Sequence, residues 1–372
     1  MQIQHLRTIL LSAIFLILPG SVLAAPSVTS VSGTVWHNSV VTVNGLGFGV
    51  KFPVAPLLWD PVDGQPSYAG LTNGSLVPMR VTPPIASNAP WSNSPQNTPV
   101  YYKTSHPRGK WTAKYANSLA TSGLVAGQGK ASMGGNNYCS QVNGGKFYVT
   151  LWHYYSNPVT IGSNKFHRLD DNSATATFIW GVGGPLFDLW DGSSSSYPIP
   201  TIWDNHNYPS ATWHRVETLV DNSKTLATYP HVQEIYDGTI YLDAYATTSL
   251  GRDICVVGQL GLDSDNADGS EPVFDYGEIY VDNTYARVEI CNASTKASSN
   301  HCEIQIPQTT WNDEQIQIKV NQGSFVDNSS AYLYVIDASG NASAGKQLTF
   351  GSSGGGGGDT TPPAAPTGLS VR

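Results

Sequence analysis

Histidine, tyrosine and arginine residues in the middle of the chain supply the side-chain types that acid–base chemistry needs. His153 and His167 are candidate bases, Tyr241 is a candidate acid, and Arg215 is a candidate cation. Removal of a proton next to a uronate carboxylate needs a base, a group that holds the carboxylate and an acid at the leaving oxygen. The residues therefore permit lyase chemistry on an acidic polysaccharide. Alternatively, each histidine is a strand residue with a hydrogen-bond partner, and Arg215 and Glu217 form a same-face ion pair.

Hydrolysis of a glycosidic bond is a second chemistry, and it needs two carboxyl groups placed on either side of that bond. Glu217 and Asp243 could face each other across neighbouring strands. The segment from Glu234 to Asp237 only approximates a strand with alternating acidic residues. The pattern therefore supports hydrolysis less well than lyase chemistry.

Aromatic residues offer a third possibility, which is carbohydrate binding without turnover. Sugars stack their C–H faces on aromatic rings and pair their hydroxyls with polar side chains. The segment 187–208, FDLWDGSSSSYPIPTIWDNHNY, combines both residue types and could lie over a sugar groove. The candidate sugar-binding residues are Trp152, Tyr154, Trp190, Trp203, Asp204, His206, Tyr241 and Asp243. The alternative is that Trp190 and Trp203 close the edge of a β-sandwich.

An acidic run, DSDNADG at 263–269, has the character of an oxygen-rich calcium loop. Asp263, Asp265 and Asp268 repel one another unless a cation or water screens them, and calcium takes six to eight oxygen ligands. The spacing differs by one residue from that of an EF-hand. A structural calcium site is one interpretation, and a solvated acidic turn is the other.

The elements that must position these groups are β-strands. The stretch 146–176 contains two β-rich segments separated by a turn region. Alternation divides the first segment into a row with Phe147, Val149, Leu151, His153 and Tyr155 and a row with Tyr148, Thr150, Trp152 and Tyr154. Large side chains on both faces predict a central strand covered on both sides. The polar end of that strand could line a ligand groove, or its Tyr and His tips could simply reach water.

Composition and charge define the class of protein. Only 12% of the 372 residues are charged, 37 are Gly and 19 are Tyr, and turn residues interrupt the chain about every ten residues. This profile predicts an all-β protein large enough for two domains. The net charge of −8 and the lack of a basic block argue against nucleic acid or anionic membranes as partners.

The first 24 residues have the features of a secretory signal peptide. A positive start, MQIQHLR, precedes the apolar run TILLSAIFLIL, and Val22-Leu23-Ala24 provides a cleavage pattern. The apolar run is too short for a convincing membrane span. We therefore expect a secreted protein, or one held at the cell surface by another attachment.

Four cysteines in an exported chain permit disulfides. Cys291 and Cys302 flank a polar loop between two strand-like runs, so a bridge between them would staple a hairpin. Cys139 and Cys255 would then form the second pair. Four cysteines allow three connectivities, so this pairing is one of three alternatives.

Both ends of the chain resemble an IPT/TIG immunoglobulin-like domain. VVTVNGLGFGVK at 40–51 is similar to the opening turn of that family, with glycines at Gly45, Gly47 and Gly49. WNDEQIQIKV at 311–320 and the strands up to 350 are similar to its closing half. The resemblance implies one domain formed by residues 25–54 and 291–350, with a second domain inserted at 55–290.

The insert resembles a concanavalin A-like jelly roll, the fold of legume lectins, laminarin-degrading enzymes and several polysaccharide lyases. The segments that carry this likeness are FYVTLWHYY (147–155), NKFHRLDDN (164–172), TWHRVETLVDNS (212–223) and GEIYVDNTYARVEI (277–290). Arg215-Val216-Glu217 is similar to the R-x-E element of alginate-type lyases, but their Q-x-H element is missing. The resemblance implies a lectin-like or polysaccharide-degrading function.

The segment 351–372 starts as a Gly/Ser-rich linker and then resembles the first strand of a fibronectin type III module. Together these features predict a secreted, bacterial-type protein that binds extracellular polysaccharide. The alternatives are a polysaccharide lyase or glycoside hydrolase of the concanavalin A-like class, and a structural or adhesive cell-surface protein.

Overall fold

The structure is a computed structural model. It describes residues 24–80, 89–91, 100–104, 108, 118–120, 130–155, 164–172, 177–182, 185–190, 202–203, 211–223, 230–245, 253–264 and 274–351. Strands dominate these ranges. The helical elements among them are α1 (Cys139–Val142) and single 3-10 turns at Pro66–Tyr68 and Lys296–Ser298.

The described strands confirm the all-β class that the composition predicted. In chain order they are β1 (Ser27–Ser32), β2 (Val40–Leu46), β3 (Leu58–Asp60), β4 (Tyr101–Lys103), β5 (Ser118–Ala120), β6 (Lys130–Met133), β7 (Asn136–Asn137), β8 (Lys146–Tyr155), β9 (Asn164–Asp170), β10 (Thr177–Val182), β11 (Pro185–Trp190), β12 (Ile202–Trp203), β13 (Trp213–Asp221), β14 (His231–Tyr236), β15 (Thr239–Tyr245), β16 (Val256–Ser264), β17 (Phe274–Asp282), β18 (Arg287–Cys291), β19 (Cys302–Ile304), β20 (Ile306–Trp311), β21 (Gln315–Lys319), β22 (Ser330–Ile336) and β23 (Lys346–Thr349).

Two large antiparallel sheets pack face to face in the middle of the chain. The eight-stranded sheet has the order β15-β14-β13-β8-β17-β5-β4, and β3 also pairs with β17. The seven-stranded sheet has the order β12-β11-β10-β9-β16-β6, and β7 also pairs with β16. Apolar side chains from both sheets form one core, which includes Phe147, Val149, Leu151, Val216, Val220, Leu169, Val257 and Leu260. This core defines a β-sandwich.

Strand β8 is central and covered on both faces, as its sequence predicts. It lies between β13 and β17, and the row that begins at Phe147 faces the sandwich core. On the other face, Tyr148 packs with Tyr280, Tyr285 and Ile304. Since Ile304 belongs to β19, the eight-stranded sheet is also covered by a small sheet formed near the end of the chain.

Two four-stranded sheets bring both ends of the chain together. Their orders are β1-β2-β21-β20 and β19-β18-β22-β23, and Val43 of β2 pairs with Ile316 of β21. A Cβ on Gly45 of β2 would lie 1.9 Å from the carbonyl oxygen of Ser27 in β1, so the close approach of these two strands requires glycine at this position. Strands from before residue 50 and after residue 300 thus share a core, whereas the IPT/TIG assignment stays a prediction.

The sequence predicts one strand at 278–290, within the jelly-roll-like segment 277–290, but this strand is divided in the structure. β17 ends at Asp282 in the eight-stranded sheet, and β18 begins at Arg287 in a four-stranded sheet. The carboxylate of Asp282 accepts a hydrogen bond from the backbone N–H of Asn283 at 2.9 Å, and Thr284 Oγ1 accepts one from Ala286 at 3.1 Å. These side chains replace ladder bonds, so the chain changes sheets at 283–286.

Both predicted disulfides form. The Cα atoms of Cys139 and Cys255 are 4.8 Å apart, and those of Cys291 and Cys302 are 4.0 Å apart. The second bridge joins directly opposite residues of β18 and β19. Of the three possible connectivities, this is the one that the polar loop between Cys291 and Cys302 favoured.

Several sequence predictions fall on residues outside the described ranges. These are the signal peptide, the tail after 351, the sugar-binding candidates Asp204 and His206, and the calcium candidates Asp265 and Asp268. Asp263 lies in β16, and Trp190 and Trp203 lie in β11 and β12. Among the helices of the described part, none has the length and apolar character that crossing a membrane requires.

Candidate functional site

The two candidate bases are brought together inside the sandwich. His153 Nε2 lies 3.3 Å from the hydroxyl oxygen of Tyr236, and His167 Nε2 lies 3.8 Å from a carboxyl oxygen of Glu234. His153 is 0% exposed and His167 is 3% exposed. The candidate acid Tyr241 lies close to this group, because its ring centroid is 6.0 Å from that of Tyr236. Tyr236 and Glu234, which the sequence did not single out as members of this group, thus complete it.

Burial controls the charge of this polar group. Desolvation lowers the pKa of His153 well below its ordinary value and lowers the pKa of His167 to about 3. Desolvation also raises the pKa of the Glu234 carboxyl well above its ordinary value. Burial therefore favours the uncharged form of both imidazoles and of the carboxyl group, as expected for polar groups in a protein core.

The candidate cation Arg215 lies on the other face of the eight-stranded sheet. Successive strand residues point to opposite faces, so His214 follows the core-facing row and Arg215 points away from it. The guanidinium of Arg215 lies 2.9 Å from Glu289 and 3.2 Å from Glu217, and it is buried. The structure therefore separates Arg215 from the two histidines, and the same-face ion pair with Glu217 is confirmed.

Arg215 belongs to a buried ion network, which we call the junction network: Tyr148, Arg215, Glu217, Arg287, Glu289 and Lys296. Arg287 Nε donates to Glu289 at 2.8 Å, and Tyr148 donates its hydroxyl proton to Glu217 at 2.6 Å. Lys296 lies 2.9 Å from Glu289. These bonds join β8 and β13 of the large sheet to β18 of the small sheet, so the network holds the two parts of the molecule together.

The predicted sugar-stacking residue Trp152 is covered by neighbouring side chains. The Arg108 guanidinium lies 4.3 Å from its ring centroid, and the ring of His301 lies 5.1 Å away. Trp152 is consequently only 5% exposed. Tyr154 is less buried, and its ring lies 5.7 Å from that of Trp213.

The candidate Asp243 lies on the exposed edge hairpin β14–β15. Its carboxylate is 2.5 Å from His231 Nε2, and it accepts a hydrogen bond from Gln233 at 3.2 Å. The His231 ring stacks on Tyr245 with centroids 4.3 Å apart, and Tyr245 is 58% exposed. This hairpin, which also carries the candidate Tyr241, therefore presents an open aromatic ring at Tyr245, a residue that the sequence did not mark.

A cavity of about 540 Å³ lies where the large sheet meets the first small sheet. We call it the junction cavity. Its lining residues are His37, Asn38, Trp59, Pro61, Asp63, Gly64, Glu278, Ile306, Gln308, Lys319, Val320 and Asn321. They come from β3 and the loop after it, from β17, and from β20, β21 and adjoining loops, so the cavity exists only in the assembled protein.

Buried hydrogen bonds fix the β3 side of the junction cavity. The carboxylate of Asp60 accepts hydrogen bonds from Tyr68 Oη at 2.8 Å, from Trp91 Nε1 at 2.9 Å and from the backbone of Val62 at 2.9 Å. Trp59 stands edge-on to Tyr280 with ring centroids 6.4 Å apart. The indole ring and the loop that follows it are therefore held in place by contacts within the protein.

The opposite side of the junction cavity carries amide and imidazole groups. Asn321 Nδ2 donates to the Glu278 carboxylate at 3.2 Å, and the Asn321 backbone N–H donates to Gln305 at 2.9 Å. Burial, followed by the nearby charge of Lys319, lowers the pKa of His37 to about 4. His37 is therefore a neutral hydrogen-bonding group at neutral pH.

Sequence reasoning identified none of the residues of the junction cavity as functional. They are separated by up to about 280 positions, and their proximity depends on how the two ends of the chain meet. The available local signal was Trp59 followed by the turn-forming sequence Asp60-Pro61-Val62-Asp63-Gly64. An aromatic residue beside such a turn is typical of many loops, so the signal is weak alone.

Metal binding has limited support within the described ranges. The residues there that come close enough to hold an ion are Glu289, Cys291 and Cys302. The two cysteines form a disulfide, so their sulfurs are not thiolate ligands. Calcium at Asp263, Asp265 and Asp268 stays a prediction.

Comparison with known proteins gives similarities only at the level of solved structures. No family model and no curated protein matches the sequence. The chain is similar to the endo-β-1,4-glucuronan lyase of the fungus Trichoderma reesei, with 14% identity, 53% of this chain and 92% of that chain covered, and a TM-score of 0.35. It is similar to the cellulose-induced protein Cip1, with 14% identity, coverage of 49% and 90%, and a TM-score of 0.30.

A third similar structure is an alginate lyase in complex with an alginate trisaccharide. The identity is 11%, the coverage is 47% of this chain and 86% of that chain, and the TM-score is 0.31. The all-β class of the present chain rests on its own described strands.

Proposed function

We propose that the protein binds an extracellular polysaccharide, with the junction cavity as its recognition site. The observation that carries this proposal is the pre-formed cavity in which the Trp59 ring lies among amide, carboxyl and imidazole side chains. Its volume is within the range of roughly 300–1,000 Å³ that is usual for ligand pockets. Aromatic rings that stack on sugar C–H faces and polar groups that bind hydroxyls are the combination that sugars require.

The side chains of the junction cavity favour an uncharged sugar. Lys319 is exposed, and His37 is neutral at neutral pH. Asp63 and Glu278 contribute carboxyl groups, and the described residues of the lining include no arginine. Since a polyuronate needs an excess of positive charge at its carboxylates, neutral glycans are the preferred class.

Replacing Trp59 with alanine tests the recognition site. We expect the affinity for a neutral polysaccharide to fall about thirtyfold, which corresponds to about 2 kcal/mol, because tryptophans in binding sites are typical hot spots. Affinity electrophoresis in gels that contain laminarin, galactomannan, xylan or alginate measures this for the mature chain. Retardation in a neutral gel that disappears in the variant is the expected result.

Phe52→Ala is the matched control, because Phe52 is 89% exposed and is not part of the cavity lining. This variant should keep wild-type affinity. Thermal unfolding of both variants shows whether the loss in Trp59→Ala reflects the site or the contact with Tyr280. Equal affinity of wild type and a folded Trp59→Ala would contradict the proposal.

A polysaccharide lyase is the second candidate function, and the contact between His153 and the Tyr236 hydroxyl favours it. Imidazole and phenol are a suitable base and acid for that chemistry. The complete burial of His153 weighs against it, because a base must reach the substrate proton. An unsaturated-uronate absorbance on alginate that Tyr236→Phe abolishes would place lyase activity first.

We infer that the protein is secreted or located at the cell surface. Its two disulfides support this location, because disulfides form and persist in oxidising compartments. Calcium at the 263–269 loop would brace that loop rather than take part in chemistry. If neither binding nor product release occurs on any of the four polysaccharides, a structural or adhesive surface role is favoured.

A further inference from the structure

Two residues with carboxyl groups, Glu278 and Asp63, are among those that line the junction cavity together with Trp59. Glu278 comes from β17 and Asp63 from the loop after β3, and β3 pairs with β17. A sugar that occupies the cavity would lie against both groups. Hydrolysis of a glycosidic bond uses two carboxyl groups, one of which donates a proton to the leaving oxygen.

The backbone at Glu278 is held in an unusual conformation. Its φ is 48°, in the left-handed region that non-glycine residues rarely adopt. The pairing of β17 with β8 shifts by one residue between Gly277 and Tyr280, which defines a bulge. Bulges re-aim side chains and occur next to functional sites, and strain of this kind persists only where the surrounding structure enforces it.

The neighbours of Glu278 determine which carboxyl group holds a charge. The Arg108 guanidinium contacts both Glu278 and Glu303, with a distance of 2.9 Å to Glu303. Glu303 also lies 3.0 Å from His301 and accepts a hydrogen bond from the backbone of Ser324 at 3.0 Å. Glu303 has the larger share of positive partners, so it holds the negative charge more firmly.

The pKa values of Glu278 and Glu303 agree with this distribution of charge. Burial raises the pKa of Glu278 above its ordinary value despite Arg108, and the charge of Glu303 adds to this effect. Burial alone would raise the pKa of Glu303 too, but Arg108 and His301 hold it well below its ordinary value. Glu278 is thus the group of this pair that takes up a proton first as pH falls.

We propose that Glu278 is a catalytic proton donor and Asp63 a catalytic base, so that the protein hydrolyses a neutral glycan bound in the junction cavity. This inference rests on the proposed function. The C1–O bond breaks, and its electron pair stays on the leaving oxygen, which takes the proton of Glu278. Water attacks C1 and gives its proton to Asp63. The products are a sugar with a new reducing end and a free hydroxyl, and proton exchange with solvent restores both carboxyl groups.

Glu278→Gln tests the proton donor, because the amide keeps the shape and a hydrogen-bonding oxygen but has no acidic proton. The mature chain is incubated with laminarin, galactomannan or xylan, and new reducing ends are measured. We expect the wild type to release reducing ends and Glu278→Gln to do so at least about 100-fold more slowly, with affinity within about threefold. Glu314→Gln, on an exposed turn, is the matched control and should behave as wild type.

The outcomes separate this inference from the proposed function. A wild type that binds a polysaccharide without releasing reducing ends overturns the hydrolysis and leaves the binding function. A wild type that binds none of them overturns both. If Glu278→Gln does not fold, Asp63→Asn on the loop is the second test. Wild-type turnover in either folded variant overturns the assigned roles.

Discussion

Replacing Glu289 with alanine is expected to lower the free energy of unfolding by about 3–5 kcal/mol, because the substitution leaves buried charges without their partner. Glu289 is 0% exposed and contacts Arg215 at 2.9 Å, Arg287 at 2.8 Å and Lys296 at 2.9 Å. Removing the carboxylate leaves two buried guanidinium groups, and Glu217 is then their remaining carboxylate partner in the part of the chain that the structure describes. Urea unfolding followed by tryptophan fluorescence measures the change as a lower midpoint.

Glu314→Ala is the control for this experiment, since Glu314 is exposed and surface substitutions usually change stability by less than about 0.5 kcal/mol. A Glu289→Ala variant that unfolds at the same urea concentration as Glu314→Ala would show that the junction network does not hold the sheets together.

The same network predicts a pH dependence. Burial alone would raise the pKa of Glu289, but Lys296, Arg215 and Arg287 outweigh it and hold the pKa well below its ordinary value. A carboxyl group with a depressed folded pKa contributes its full stability above the unfolded pKa of about 4.3 and loses it as pH falls through the folded pKa. The difference in stability between wild type and Glu289→Gln should therefore be constant above about pH 6 and shrink below about pH 4.

Removal of the long-range disulfide is expected to cost about 4–5 kcal/mol. Cys139 and Cys255 are 116 residues apart in sequence, and the chain-entropy estimate for a loop of roughly 100 residues is about 4.7 kcal/mol. The bridge ties α1 to the residue just before β16, so its loss also loosens one end of the sandwich. The paired replacement of Cys139 and Cys255 with alanine should lower the urea midpoint without changing the fold at low urea.

The second disulfide supplies a matched comparison within the same chain. Cys291 and Cys302 are 11 residues apart, for which the same estimate gives only about 3 kcal/mol. The paired alanine variant at these positions should therefore be the more stable of the two. If the Cys291/Cys302 variant is instead the less stable one, the loss of stability is governed by local packing at β18 and β19 rather than by loop length.

Local patterns predicted the strands and the bridges well. The period-2 rows of β8 follow from alternation along 10 residues, and the Cys291–Cys302 hairpin follows from one short polar loop. Such features depend on residues that are close together in sequence, so they can be recognised from one amino-acid sequence. The division of 278–290 between two sheets was missed, because both halves have the same strand-like composition.

Long-range assembly explains the other differences between the sequence predictions and the structure. Arg215 and Glu217 could be paired from their spacing, but nothing near them points to Arg287 or Glu289 some 70 positions away. Trp152 is suitable for stacking on a sugar by residue type, yet Arg108 and His301 occupy its face. The junction cavity depends in the same way on segments that meet only after both ends of the chain are paired.

The pairing of β2 with β21 has a consequence for biosynthesis. Val43 and Ile316 are partners, so 316 − 43 = 273 residues must be synthesised before β2 can complete its sheet. At about 5–20 residues per second, translation of that length takes about 14–55 s. The apolar side chains of Val41 and Val43 stay without their partner strand throughout this time. A holding chaperone would therefore act on residues 40–46 of the nascent chain, near the amino terminus. It would act there before the sandwich has formed.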